Sequence, residues 1–259
     1  MFNMVTAKKK THPKPQNSKS KSSKTKTSLI KRIWRYSYRT ALILWLLSII
    51  SVVVLKYVPV YVTPLMILRS CQSIFDGKTP RNDKSWVDIE DISYNFTLAC
   101  VASEDNLFMK HNGFSERAIK QALIERLEGK RVRGGSTISQ QTAKNVFTFG
   151  TRTWFRKGIE AYYTLLIELI WGKERIMEVY LNIVELGDGI YGAQAAALHY
   201  WGIPAKKLNK QQAALMAAAL PNPLHYSITS PGPYMQKRQK QILNLMPKIG
   251  KIEFPDNKQ

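Results

Sequence analysis

The sequence predicts an all-α protein, on three observations. Apolar residues recur at three- and four-residue spacing through most of residues 91–250. Capping signals stand at the ends of those runs. No stretch alternates apolar and polar residues over the length of a strand, and no internal repeat is seen.

Taken in order, residues 1–39 hold 12 Lys and Arg and no Asp or Glu. Residues 1–28 are Lys, Ser, Thr and Pro with few large apolars. They cannot bury enough surface to offset chain entropy, so a largely disordered basic tail is expected. Thr40 to Leu55 is uncharged and dominated by Leu, Ile, Val and Trp. A membrane-spanning helix over 40–62 follows, with Lys56 reaching the far interface. Lys31, Arg32, Arg35 and Arg39 immediately precede it, which places the N-terminus in the cytoplasm and the remainder outside. The apolar stretch is too long for a cleaved signal, and no small-residue cleavage site follows. A soluble core helix is disfavoured because this one is apolar on every face. Residues 63–90 read as a linker, broken by Pro64, Gly77 and Pro80.

A single helical domain then runs over 91–250. Asp91–Ser103 is a helix that delivers Glu104 at its C-terminal end. Ser115 caps a helix whose Ile119, Ala122, Leu123 and Leu127 share a face. Gly134-Gly135 breaks the chain, and Thr137 with Gln140 forms a capping box. Arg156–Trp171 carries a stripe of Ile159, Tyr163, Leu166, Ile167 and Ile170. Lys173–Asn182 is a short helix, and Gly187-Asp188-Gly189 turns into an Ala-rich one ending at Gly202. Asn209 and Gln212 cap the next, which stops at Pro221, and Pro233–Gly250 is a last basic helix. Residues 251–259 are a tail.

The net charge of +21 calls for a polyanionic partner: nucleic acid, an anionic membrane or a phosphorylated substrate. More than half of it sits in the first 39 residues, which argues against one large nucleic-acid face. Cys71 and Cys100 do not make a disulfide framework, and Cys100 reads as a buried small hydrophobe.

Between Glu104 and Asn182 lie the carboxylates of Glu104 and Glu160, a Gly-Ser-Thr turn and a cluster of cations. That combination suits a base that activates a hydroxyl while cations hold a phosphorylated leaving group. Each part has an ordinary explanation too. A Glu at a helix end is commonly solvated, but Phe108, His111 and Gly113 beside Glu104 look arranged to fix a bend. The amides of 134–141 suit an anion, or simply open a helix. Glu160 suits an i, i+4 pair with Arg156. Lys144, Arg152, Arg156 and Lys157 are interleaved with Phe147, Phe149, Trp154 and Phe155, a mixture expected at lipid headgroups. Val146–Phe155 therefore reads as a mobile element whose aromatics enter the interface.

Four motifs then occur in order: Glu-Asp-x-x-Phe-x-x-His-x-Gly, Gly-x-Ser-Thr-Ile-x-Gln-Gln, Arg-Lys-x-x-Glu and Lys-x(6)-Tyr-Leu-Asn. Together they resemble glycosyltransferase family 51, the peptidoglycan glycosyltransferases. The likeness extends more loosely to Met246, where the family's second Arg is Gln239. Leu220-Pro221-Asn222-Pro223 with Ser230-Pro231 looks like the Gram-negative form. The chain ends at Gln259 without room for a transpeptidase domain, so it resembles the monofunctional branch.

The resemblance implies a lysozyme-like α fold with a head lobe and a smaller, membrane-dipping jaw. It implies lipid II and the nascent lipid-linked glycan as substrates, an anionic membrane, and other cell-wall synthesis and division proteins as partners, with no nucleic acid. The location implied is the bacterial inner membrane. By motif, Glu104 is the general base and Glu160 assists departure of the diphosphate. Asp105, His111, Ser136, Thr137, Gln140, Gln141, Lys144, Arg152, Arg156, Lys157 and Asn182 are assigned to substrate. No cofactor is required, while Mg2+ or Mn2+ at the diphosphate varies within the family; no spacing here marks a metal site. Two other classes compete: a lysozyme-like hydrolase or lytic transglycosylase, which needs the Glu but not the cations, and an anchored basic binding protein without chemistry.

Overall fold

The computed structural model describes residues 20–254 except 117–119, 121–123, 125–126, 130–134 and 151–152, with backbone alone over 20–30. Of the tail expected to be disordered over residues 1–28, residues 1–19 lie outside the described residues, and 20–28 are instead helical, the start of the helix that continues into the apolar segment. Ile119, Ala122 and Leu123 of the expected helical face, Gly134 of the chain break, Arg152, and the tail beyond residue 254 also lie outside the described residues. The class is all-α, with 67% helix and 3% strand. Two units are distinguished, Met1–Ile49 and Ile50–Gln259.

Helix α1 is Ser20–Tyr57, and Lys31–Tyr57 within it is long and apolar enough to cross a membrane. It stops sooner than the expected residue 62. Pro59 cannot donate into a continuing ladder, and the residue before it is pushed out of the helical region. The final turns of α1 belong to the second unit. Leu55 O, an orphan carbonyl at the helix end, accepts from Arg175 Nη2 at 2.9 Å, and Val58 O accepts from the same nitrogen at 2.6 Å. Trp171 Nε1 donates to Val52 O at 2.7 Å.

The stretch read as a linker contains a second helix, α2 (Pro64–Phe75). Thr63 Oγ1 accepts from Met66 N at 3.3 Å, and Pro64 sits in the first turn, where its missing N–H costs nothing. One side of α2 is held by Arg69, which pairs with Glu185 at 3.2 Å. The other leaves Ile67, Leu68, Ile74 and Phe75 exposed.

Further along the described residues, besides short 3-10 turns, come β1 (Asp83–Lys84), α3 (Tyr94–Glu104), α4 (Ile138–Phe147), α5 (Trp154–Ile170), α6 (Gly172–Ile183), β2 (Glu185–Gly187), β3 (Ile190–Tyr191), α7 (Gly192–Trp201), α8 (Lys210–Ala219) and α9 (Pro233–Ile249). They form two helical groups. Helix α3 packs with α8 and α9, and α4 packs with α5 and α6. Ala99, Cys100 and Ala102 of α3 and Ala213, Ala214 and Ala217 of α8 are all buried, and small side chains there let the axes approach. In the second group Ile138, Ala143, Ile167, Ile176, Met177 and Tyr180 close the core.

The three strands were not expected. β3 lies between β1 (parallel) and β2 (antiparallel). At two or three residues each, they are too short to show alternation. Gly192, at φ +80°, starts α7 directly against the backbone of Asn182, where a Cβ has no room.

Candidate active site

Glu104 is the last residue of α3, brought there by a helix that Ser93 caps and whose centre is buried all round. Its carboxylate is held at both oxygens. Ser103 Oγ donates to Oε1 at 3.0 Å, and Gln141 Nε2 donates to Oε2 at 3.0 Å. Tyr180 O–H in turn donates to Gln141 Oε1 at 3.4 Å. Burial, with the charge of Glu104 second, pushes the Tyr180 phenol well above its usual range, so it stays a donor. Glu104 opens onto a cavity of about 290 Å³ whose lining includes Asp105, Ser136, Thr137 and Arg238.

The turn before α4 is built by its own cap. Thr137 Oγ1 accepts from Gln140 N at 3.1 Å, and Gln140 Oε1 accepts from Thr137 N at 3.0 Å. Thr137 Oγ1 also donates to Gly113 O at 2.7 Å. The expected capping box is present, and it engages Thr137 Oγ1 and Gln140 Oε1 in holding the turn. Asp105 is similarly committed. Its carboxylate accepts from Ile138 N at 3.1 Å, at the positive end of α4, and lies 2.9 Å from His111 Nε2. His111 Nδ1 is buried without a hydrogen-bond partner among the described residues. Asp105, His111, Thr137 and Gln140 thus set the geometry of the wall, whereas Gln141 bonds Glu104 and Ser136 lines the same cavity.

The cations gather on α5. Glu160 is 2% exposed and is paired with Lys157 Nζ and, at 3.5 Å, with Arg156 Nη1. Thr153 caps this helix through Arg156 N at 3.1 Å. Lys144 is exposed on α4, one turn beyond Gln141. Both oxygens of Glu160 are engaged by cations, and among the described residues no group of three or more His, Cys, Asp or Glu side chains converges. A divalent ion wants several oxygen ligands, so these residues do not fit one, and no step is derived through a metal.

Asn182, expected at the substrate, stands inside the fold. It is fully buried, with Nδ2 donating to Val87 O at 2.8 Å and Glu178 O at 2.9 Å and Oδ1 accepting from Val87 N at 3.0 Å. Both Nδ2 protons are thus committed to backbone carbonyls. Sequence reasoning also missed a buried cluster behind the site. Glu168 accepts from Ser139 Oγ and pairs with Lys173 at 2.7 Å, and Lys173 sits 4.5 Å above the Phe108 ring. Lys173 and Tyr180 both stand in the fourth motif, which was the available signal.

Of the stretch expected to enter the interface, Phe149, Trp154 and Phe155 are 60%, 86% and 80% exposed. Val146 and Phe147 depart from that expectation. Val146 is buried, and Phe147 stacks on Tyr163 at 4.2 Å, because both end helix α4 on its core side.

A carboxylate held at a cavity, with a second carboxylate gathering cations, suits an enzyme that transfers a group. Comparison with known proteins says which. The family model described as Transglycosylase matches residues 72–247. The chain is 50% identical over 227 residues to the biosynthetic peptidoglycan transglycosylase of Bacteroides thetaiotaomicron, covering 86% of this chain and 92% of that one. It is 48% identical to that of Aeromonas hydrophila over 79% of this chain and 86% of the relative. For the Pseudomonas aeruginosa protein the identity is 43%, over 88% and 96%. The chain belongs to the transglycosylase family and is a glycosyltransferase of peptidoglycan synthesis.

Proposed function

We propose that the protein polymerises lipid II into β-1,4 glycan strands with inversion, releasing polyprenyl diphosphate and carrying out no transpeptidation. The observation that carries this reading is the Glu104 carboxylate, fixed at both oxygens at the mouth of a cavity. A carboxylate has about four lone-pair sites, so two remain for an incoming hydroxyl. In the proposed step the 4-hydroxyl of lipid II gives its proton to Glu104 while its oxygen bonds the anomeric carbon of the growing chain. The bond from that carbon to the diphosphate breaks, and the diphosphate leaves with the electron pair. It is already a good leaving group, so neutralising its charge matters more than protonating it. Arg156 and Lys157 supply that neutralisation, held by Glu160, with Lys144 and Arg152 as further substrate cations and Ser136 and Gln141 at the sugar. A hydrolase would not need this cluster.

The reading places α1 across the inner membrane, N-terminus inside and the catalytic domain in the periplasm. Exposed Phe149, Trp154 and Phe155, and Ile67, Leu68, Ile74 and Phe75 of α2, then meet lipid, near a substrate that stays in the bilayer. The test is incubation of the full chain with purified lipid II. Polymer that a β-1,4 muramidase digests, still carrying uncrosslinked stem peptides, is expected. Absence of polymer together with cleavage of preformed glycan would favour the hydrolase instead.

A further inference from the structure

Arg238, on α9, reaches the C-terminal end of α3. Its Nη2 donates to Ser103 O at 2.9 Å and to Ser103 Oγ at 3.3 Å, while Nη1 donates to Gln241 Oε1 at 3.4 Å. The neighbouring Gln239, where the resembled motif has a second Arg, turns instead to Gln211 O at 2.8 Å. Arg238 therefore makes this connection alone among the described residues of that motif.

The proton inventory gives the contact a direction. A guanidinium has five donors and no acceptor, whereas a hydroxyl has one proton and two lone pairs. With Arg238 on a lone pair of Ser103 Oγ, the hydroxyl proton cannot point at the guanidinium. Two acceptors are left to it, Glu104 Oε1 at 3.0 Å and Ala217 O at 3.4 Å. The carboxylate is closer and charged, so it takes the proton. Gln141 occupies the other carboxylate oxygen, and the Tyr180 hydroxyl fixes which end of the Gln141 amide faces Glu104.

We infer that Arg238 is a positioning residue for Glu104, acting through the hydroxyl of Ser103. Its guanidinium orients that hydroxyl, and the hydroxyl locks the plane of the carboxylate. Without the lock, a Glu at a helix end samples several rotamers, and few present a free lone pair to the cavity. The inference rests on Glu104 being the base.

The test uses the full chain and lipid II, with kcat and KM measured for Ser103→Ala, Arg238→Ala, the double variant and Arg238→Lys. Ser103→Ala keeps the carbonyl that ties α9 to α3 and removes only the hydroxyl, so it separates orientation from stapling. Ser103→Ala and Arg238→Ala should each lower kcat by about 10- to 100-fold with KM within about twofold, as expected when a reacting group is misplaced. The double variant should be no slower than the slower single, and Arg238→Lys, also a pure donor, should recover most of kcat. Near-normal kcat in Ser103→Ala would overturn the inference, even if Arg238→Ala fails to fold. So would a rise in KM alone in Arg238→Ala, or additive losses in the double variant. Glu104→Gln in the same assay is the control, since full activity there would remove the base assignment itself.

Discussion

Asn182 and Arg156 both stand in motifs assigned to substrate, and their surroundings separate them. Asn182 makes two hydrogen bonds that pin residue 87 to α6 and a third to Glu178 O within the helix. Asn182→Ala leaves those partners unsatisfied, at a cost of ~2–4 kcal/mol. That should appear as a thermal midpoint lowered by roughly 5–15 °C, read by circular dichroism. An unchanged midpoint with lost activity would return Asn182 to the substrate site. Arg156→Ala should behave in the opposite way. It removes a charge-assisted contact from the proposed diphosphate site, so turnover should fall about tenfold or more while the fold persists. Gly113 is a third case. At φ +84° a Cβ would lie 2.7 Å from Thr164 Cγ2, so Gly113→Ala should destabilise by ~1–3 kcal/mol in urea titration. Gly113 already read as fixing a bend, but the motif order did not tell whether Asn182 and Arg156 meet ligand or scaffold. That distinction lies in burial and hydrogen bonding, which spacing does not carry.

The helices were mostly legible because their signals are local. Thr137 with Gln140, and Asn209 with Gln212, are capping boxes in the sequence and in the fold. Gly202 ends α7 in the left-handed conformation, as its place after an Ala-rich run suggests. What escaped notice was short or depended on distant partners. The three-stranded sheet consists of two- and three-residue strands, and β1 is held by β3 from more than a hundred residues away. Helix α2 hid inside an apolar run, because Pro64 reads equally as an interruption or as a first-turn residue. The start of α5 carries a testable consequence of the proposed membrane contact. Trp154 and Phe155 are almost bare, so Trp154→Ser with Phe155→Ser should scarcely alter thermal stability. In proteoliposomes containing acyl-brominated lipid, the parent should show a quenched Trp component that the double variant lacks. Equal quenching in both, or a midpoint several degrees lower, would place these side chains in the protein.

At the scale of the whole molecule, the proposed catalytic arrangement is distributed over both helical groups. Helix α3 supplies Glu104, α4 supplies Gln141, α5 carries Glu160 with its cations, and α9 reaches Ser103. That α3 and α9 meet was out of reach of a sequence reading, since Arg238 and Ser103 are 135 residues apart. The central claim is that Glu104 takes the acceptor's proton, and Glu104→Gln tests it most directly. The amide nearly matches the carboxylate in shape, so the helix end and cavity should survive, with a thermal midpoint close to the parent's. The measurement is the initial rate of lipid II polymerisation by the full chain. Loss of a general base costs about 10²- to 10⁴-fold, so the variant should fall to roughly 1% or less of the parental kcat. A Glu104→Gln protein that polymerises at more than about half the parental rate would contradict the account.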